Sequence, residues 1–316
     1  MDAFIIMLKN VVVFVLLAVP GFILVKTKVL KAEQTKVLSK MLQYVGMPFL
    51  IFGNTLHMNF DAHFTKMSLV TLGLISVYLV SIFILSKWLV PKEEDKKKKG
   101  VMRYAAIFSN CGFLAIPLAQ AVFKEQPEVV TFVILLNILT NMFIYTLGVY
   151  LVSGDKNAVN FKSVLLNPVM IAFFVGIIFN ILKVDTYVPE VVDYSDYFSC
   201  IVTSLSMTVI GVKLGSIKLS ALFTSARTYY VSFLKLVLFP VVYVAILIAL
   251  HKWLYLPETI VMAFFISIAM PTSGMSSAFA DIYHGDAEGA VRYTLSSTVL
   301  SVATIPVLYA LICAIL

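Results

Sequence analysis

Two runs of small, polar and helix-breaking residues interrupt apolar stretches of this 316-residue chain. The first, SNCGFLAIP, covers Ser109 to Pro117, and the second, MPTSGMSSAFA, covers Met270 to Ala280. Proline lacks the amide proton that a helix needs, and glycine permits backbone conformations that other residues avoid. Both runs are therefore expected to leave backbone amides and carbonyls, together with the Asn110 side chain and nearby hydroxyls, free to bind a ligand.

Candidate binding residues follow from these interruptions. Where half-helices begin at one place, their first amides and positive dipole ends favour an anion. The alternative is that proline and serine merely kink tightly packed helices. On the first interpretation, the candidate substrate-binding residues are Asn110, Cys111, Gly112, Pro117, Pro271, Thr272, Ser273 and Gly274.

Charged residues are scarce inside the apolar stretches, and no Asp or Glu lies near the middle of any of them. Lys235 is the exception. It lies two helical turns past Arg227, which is about 12 Å along a helix axis. A lysine at that depth either snorkels to the headgroups or faces a central cavity and pairs with an anion. We favour snorkelling and keep Lys235 as a candidate substrate-binding residue on the second interpretation.

Other polar side chains inside the apolar stretches are predicted to be structural. Gln43, Asn54, Asn137 and Asn141 are expected to form hydrogen bonds between helices. The three cysteines are odd in number, lack a paired histidine and are expected to be small buried hydrophobes. No metal site and no cofactor are predicted.

The elements that position these residues must be membrane helices. The chain is 60% hydrophobic and 13% charged, whereas soluble domains carry about 25% charged residues. Hydropathy over windows of about 19 residues predicts ten helical spans. The spans cover residues 4–25, 36–55, 67–90, 103–123, 128–152, 163–182, 197–214, 228–250, 258–281 and 291–315.

The chain has a net charge of +7, and most of its lysines and arginines lie in or beside the loops after the odd-numbered spans. The positive-inside rule therefore predicts a multi-pass protein of the cell membrane with both termini outside. The basic loop at Lys92 to Gly100 is then cytoplasmic, a topology determinant rather than a nucleic-acid site. The lipid bilayer is the expected environment, and no nucleic acid is expected as a partner.

Ten spans divide into five and five, and an odd number of spans reverses the orientation of the second set. The predicted halves are residues 1–152 and 163–316, joined by a cytoplasmic linker at 153–162. The sequence thus predicts an all-α polytopic membrane protein with a five-plus-five inverted repeat. Helices 4 and 9 are the interrupted ones, one in each half, and if they cross at the bilayer midplane they form an arrangement typical of a transporter's binding site.

Several segments resemble the auxin efflux carrier family of secondary transporters, which includes plant auxin carriers and bacterial permeases for malate or malonate. The resemblance lies in PGFILVKTKVLKAEQTKVLSKMLQYVGMPFLIF, LLNPVMIAFFVGIIF, SNCGFLAIPL and AMPTSGMSSAFADIYHGDAEGAVRYTLSSTVLSVATIPVL. It extends over essentially the whole chain, in order.

The resemblance implies a scaffold of helices 1, 2, 6 and 7, a moving transport domain of helices 3–5 and 8–10, and often a homodimer formed through the scaffold. It also implies that an asparagine before the first break holds the substrate carboxylate, and Asn110 matches that position. Pro117 and Pro271 match the prolines of the two broken helices. The carboxylate that plant carriers are proposed to use as a proton-linked support has no match in spans two and three.

The expected function is secondary transport of a small organic anion, auxin-like or a dicarboxylate, by elevator-type alternating access. The alternative is a sodium-coupled organic-anion symporter of the bile-acid carrier type, although sodium sites usually include a carboxylate, which is missing near Pro271. An enzyme is not expected, because the histidines lie at predicted membrane boundaries and no catalytic motif occurs.

Overall fold

The computed structural model describes residues 2–58, 61–217, 222 and 225–316, and these residues are mostly helical. Helices occur over all ten predicted spans. They are α1 Asp2–Lys26, α2 35–56, α3 Ala62–Leu89, α4a Lys96–Ile107, α4b Cys111–Val122, α5 Pro127–Ser153, α6 Pro168–Ile181, α7 Glu190–Gly215, α8 Ala226–Leu254, α9a Glu258–Ile268, α9b Met275–Ile282 and α10 Ala287–Ile315. Short helical turns in the connections cover Ala32–Gln34, Lys156–Ala158, Phe161–Leu165 and Val184–Tyr187.

Six of these helices, α1, α3, α5, α7, α8 and α10, are long and apolar enough to cross a membrane. Three more, α4b, α6 and α9a, are apolar but shorter. Such continuous apolar helices satisfy their own backbone hydrogen bonds, which is the condition for crossing lipid. The chain is therefore an all-α, multi-pass membrane protein.

Three helices widen into a π-helical turn shortly before a proline. Proline cannot donate to the carbonyl four residues earlier, and a wider turn rearranges the hydrogen bonds around that carbonyl. The paired segments are Leu42–Gly46 with Pro48, Cys111–Ala115 with Pro117, and Leu234–Leu238 with Pro240. In these helices a proline is accommodated without ending the helix.

Both interruptions are shorter than the sequence indicates. Helix α4a ends at Ile107 and α4b begins at Cys111, so only residues 108–110 leave the helix. The prediction that the first break extends to Pro117 is wrong, because the π-helical turn places this proline inside α4b. The second interruption covers residues 269–274, and the serines beyond it belong to α9b.

Helices α1 and α7 pack at very short distance through facing glycines. A Cβ added to Gly21 would lie 2.1 Å from the carbonyl oxygen of Thr208, and one added to Gly211 would lie 1.8 Å from that of Ala18. Only glycine permits this approach of two backbones. Helix α2 packs against both α6 and α7, so α1, α2, α6 and α7 form one contiguous group.

One face of the bundle gathers the basic connections. Three contacts join segments there that are far apart in sequence: Lys36 with Asp281 at 3.4 Å, Lys97 with the carbonyl of His284 at 2.7 Å, and Arg227 with Glu93 at 2.5 Å. All of these residues lie at or near the ends that the sequence predicts to be cytoplasmic. We refer to this as the basic face.

Candidate functional site

The two interruptions are paired directly with each other. The amide of Asn110 donates to the carbonyl of Pro271 at 2.8 Å, and the amide of Ser273 donates to the carbonyl of Phe108 at 2.9 Å. Ser109 and Thr272 form an isolated antiparallel β-bridge between them. The backbone groups freed from α4 and α9 therefore satisfy one another, as buried backbone must. We call these paired segments, 108–110 and 271–273, the junction.

Thr272 stabilises the junction through its hydroxyl and its amide. Its side-chain hydroxyl donates to the carbonyl of Ala105 at 2.8 Å, near the end of α4a. Its amide donates to the Ser297 hydroxyl of α10 at 3.0 Å. The candidate role of Thr272 in binding is therefore not supported by its contacts, which tie the junction to two neighbouring helices.

A small cleft, with a cavity volume of about 50 Å³, lies beside the junction. Among the described residues that line it are five with side-chain amides, together with hydroxyl groups and apolar side chains, and none of these residues carries a carboxylate or a basic side chain. Its polar lining consists of Gln43, Ser109, Asn110, Cys111, Gly112, Asn137, Asn141, Tyr145, Asn167 and Ser273. The cleft is therefore uncharged at its surface and rich in hydrogen-bond donors.

Asn110 stands at the start of α4b, with its side chain free. The side-chain amide has no hydrogen-bond partner among the described residues, while the backbone amide is engaged with Pro271. Cys111 and Gly112, the first residues of α4b, also line the cleft, and their backbone amides have no helical carbonyl before them. This end of α4b thus presents several donors and the positive end of a helix dipole to one place.

Gly112 allows this helix end to lie close to its neighbours. A Cβ at this position would lie 2.9 Å from the Met47 side chain of α2 and 3.2 Å from Oδ1 of Asn137 on α5. Glycine therefore keeps the first turn of α4b near the amides of α5, which makes Gly112 a residue that shapes the cleft.

Asn137 presents an unpaired donor. Its side chain is only 2% exposed, and its Nδ2 has no hydrogen-bond partner in the part of the chain that the structure describes. Its Oδ1 accepts from Nδ2 of Asn141 on the same helix at 3.2 Å. An unpaired buried amide costs about 1–3 kcal/mol, so it requires an explanation, and a bound acceptor would supply one.

The prediction of hydrogen bonds between helices is confirmed only for Gln43, which donates to the Tyr145 hydroxyl at 2.6 Å. It is wrong for Asn137 and Asn141, which bond to each other within α5. It is also wrong for Asn54, whose side chain donates to the Leu50 carbonyl within α2. The asparagine side chains at these positions thus form hydrogen bonds within their own helices.

Lys235 does not snorkel. Its side chain is 0% exposed, and its Nζ donates to the Ser109 hydroxyl at 2.5 Å and to the carbonyl of Ile268 at 3.2 Å. The prediction of a headgroup position is wrong, because these two oxygen acceptors at the junction lie within reach of the extended side chain. Lys235 itself does not line the cleft, but Ser109, to which it donates, does.

The structure brings only part of the predicted set to the cleft. Asn110, Cys111, Gly112 and Ser273 line it. Pro271 instead borders a separate, largely apolar pocket between α1, α4b, α7 and α10.

The last two candidates also lie elsewhere. Pro117 is buried within α4b. Gly274 faces a lysine of α7, since a Cβ added there would lie 3.5 Å from Nζ of Lys213.

Sequence reasoning missed the part of the cleft that comes from α2, α5 and α6. Gln43 and Tyr145 both lie in π-helical turns, which occur often at functional sites. The turn around Gln43 had a signal in the sequence, namely Pro48. The turn around Tyr145 precedes no proline, and Asn167 lies in the cleft only because α6 begins beside it.

Comparisons with known proteins give two matching family models. A family model described as membrane transport protein matches residues 5–163, half of the chain. A second model, described as the sodium bile acid symporter family, matches residues 200–316. No curated protein matches the chain. A multi-pass helical protein with two paired helix interruptions, matched over half its length by that first model, belongs to the membrane transport protein family of the auxin efflux carriers.

Proposed function

We propose that this chain is a secondary transporter that binds a small organic anion, auxin-like or a dicarboxylate, in the cleft beside the junction. The observation that carries the proposal is that Asn110 and Asn137 both line one cleft and that each has a side-chain amide nitrogen with no hydrogen-bond partner among the described residues. An amide N–H group donates, and a carboxylate only accepts, so the two are complementary.

The electrostatics of the cleft also favour an anion. No carboxylate lines it, so a negatively charged ligand meets no like charge at contact distance. The N-terminus of α4b contributes the positive end of its dipole. The ammonium of Lys235 lies directly behind Ser109 in a dry environment, where electrostatic attraction is strong.

The proposed architecture is ten transmembrane helices in a five-plus-five inverted repeat, with α4 and α9 crossing at the junction. The first repeat covers 1–152, the linker 153–162 and the second repeat 163–316. Support comes from the position of the two interruptions, one in each half, and from their direct pairing through Asn110 and Pro271.

The proposed motion is of the elevator type, in which a transport domain moves against a scaffold. The scaffold would be α1, α2, α6 and α7, which pack together, and the transport domain would be α3–α5 and α8–α10. The cleft lies between these groups, since Gln43 and Asn167 come from the scaffold and Asn137 and Ser273 from the other helices. A ligand held by the junction would move as the transport domain slides along the scaffold.

The cleft has a proposed direction of access. Gln43, Tyr145 and Asn167 lie in the halves of their helices that are nearer to the basic face. If the basic face is cytoplasmic and both termini are outside, the cleft opens to the cytoplasm. The structure would then represent an inward-facing state in the cell membrane.

A sodium-coupled organic-anion symporter is the second candidate, because residues 200–316 match the model described as the sodium bile acid symporter family. Sodium binds through oxygen ligands that usually include a carboxylate. The cleft contains none. We therefore place sodium coupling second.

Uptake by purified protein in liposomes tests the proposal. Radiolabelled malonate, malate and indole-3-acetate would be offered with a proton gradient, a sodium gradient or neither. Saturable uptake of one of these anions, lost in Asn110→Ala and Asn137→Leu proteins of normal stability, is the expected result. Uptake only with a sodium gradient would favour the symporter, and the absence of uptake of any anion would contradict the proposed substrate class.

A further inference from the structure

We propose that the ammonium of Lys235 is a permanent, or resident, cation of the junction. It binds both interrupted helices at the position where a free ion would otherwise be needed. The carrier then binds its anion without sodium. This last statement rests on the proposed function, whereas the others concern only the architecture of the junction.

The geometry joins both halves of the chain through one charged group. Nζ of Lys235 donates to the hydroxyl of Ser109, in the first interruption, at 2.5 Å. It also donates to the carbonyl of Ile268, the last residue of α9a, at 3.2 Å. The two acceptors come from different interrupted helices, so the ammonium connects them.

The surroundings are those of a cation site. The C-terminal end of a helix carries unpaired carbonyls and a partial negative charge, and such ends of interrupted membrane helices bind cations. Next to Ile268, the Ser267 hydroxyl is buried without a hydrogen-bond partner, and the Ser267 carbonyl accepts from the Cys111 thiol at 3.2 Å. Oxygen atoms thus surround the end of α9a where the ammonium lies.

The charge of Lys235 is not balanced by a carboxylate. Among the described residues it forms no ion pair, although its side chain is 0% exposed. A buried charge without a counter-ion is costly, and inside a membrane it usually has a functional reason. An organic anion in the cleft, with Ser109 between the two charges, would supply the missing negative charge.

This arrangement differs from sodium coupling in a testable way. A sodium ion would need several oxygen ligands and would come and go with each cycle. A lysine brings its charge on the chain itself, within the range 200–316 that the sodium symporter model matches. The positive charge is then present at the junction in the absence of any added salt.

Chemical rescue tests the resident cation without any organic substrate. Lys235→Ala removes a side-chain fragment equal in shape to n-propylammonium, so that this amine should restore the missing charge. Thermal unfolding of the purified protein would be followed in n-propylammonium chloride and in choline chloride at equal ionic strength. Choline is too bulky for the vacated space.

We expect n-propylammonium to raise the Tm of the Lys235→Ala protein by about 3 °C or more relative to choline and to leave the wild-type Tm unchanged. Lys235→Met, which fills the space without charge, should not respond. Lys213→Ala is the matched control, because Lys213 is a partly buried lysine outside the junction. If Lys235→Ala is not recovered folded, Lys235→Ser serves in its place.

Two results would overturn the proposal. One is an equal response of the Lys235→Ala, Lys235→Met and wild-type proteins to n-propylammonium. The other is stabilisation of the wild-type protein by sodium chloride relative to choline chloride, which would show a free-ion site. Because neither measurement contains an organic anion, a failure of the proposed substrate class leaves this test intact.

Discussion

Nδ2 of Asn141 donates to Oδ1 of Asn137, one turn earlier on α5, over 3.2 Å. This bond fixes the oxygen of the Asn137 amide and leaves its buried nitrogen without a partner. The protein thus has an unsatisfied polar group beside its cleft. This group lowers the stability of the empty protein, and it would contribute binding free energy if an acceptor reached it.

Replacing Asn137 by Leu should separate stability from binding. The variant keeps the approximate volume and removes an unsatisfied buried donor, but it also takes the acceptor from Nδ2 of the partly exposed Asn141. We expect these two effects to offset, so that the Tm stays near that of the wild type. Binding of the transported anion should fall by about tenfold or more, because a hydrogen bond to a charged group contributes about 1.5–3 kcal/mol. Thermal unfolding and ligand titration of the purified protein measure the two effects. Asn54→Leu is the control, since Asn54 bonds within α2 and does not line the cleft, and equal binding losses in both variants would contradict this role of Asn137.

Asn110→Ala should weaken binding and preserve the fold. Its side-chain amide has no hydrogen-bond partner among the described residues, so its removal leaves none of them unpaired, and its backbone amide still donates to Pro271. We expect a loss of about 1.5–3 kcal/mol, a reduction in affinity of roughly one to two orders of magnitude. Isothermal titration with the transported anion measures it. An unchanged affinity in the folded variant would remove Asn110 from the site.

Gly211→Ala should disrupt the packing of α1 on α7. The new methyl group would lie 1.8 Å from the carbonyl oxygen of Ala18, so one backbone must move. Overpacking of this kind typically costs about 1–3 kcal/mol, and the Tm in detergent should fall. Gly73→Ala is the matched control, because a Cβ there meets nothing within 4 Å, and alanine favours the helix. Equal thermal stability of the two variants would contradict the close approach of α1 and α7.

The basic face is predicted to be cytoplasmic. A cysteine at position 96, introduced in place of Lys96 at the start of α4a, should react with a membrane-impermeant maleimide only after the cells are permeabilised. Because Cys200 is exposed, the labelling is best performed with Cys200→Ser as the background. Labelling of position 96 in intact cells would reverse the predicted orientation.

Hydropathy and helix-breaking residues predict much of this fold, for reasons that are local. The helices lie on the ten predicted spans, because a continuous apolar run of helical length is sufficient to specify a helix in lipid. The position of the first interruption was less predictable. Pro117 signals a disturbed helix, but the disturbance takes the form of a π-helical turn, and the actual break lies before Cys111.

The site depends on contacts that no local pattern encodes. Lys235 is 33 residues from Ile268 and 126 from Ser109, and only the packing of α8 against both interruptions shows that its ammonium reaches them. Hydropathy gives the depth of a lysine, but not the direction in which it points. The amides of Asn137 and Gln43 were recognised as polar and assigned to helix packing, because the cleft that unites them forms between distant helices.

The two hydrogen bonds at the junction also have a mechanical consequence. Asn110 and Ser273 tie α4a, α4b, α9a and α9b through their backbones, so the four half-helices form one stiff joint rather than two independent hinges. Bending either interrupted helix alone would leave buried amides without their acceptors, and lipid offers no hydrogen bonds to replace them. In the proposed elevator-type motion, a ligand bound at this joint would therefore move together with it and keep its contacts to Asn110 and Ser273, while the surrounding helices would exchange their contacts.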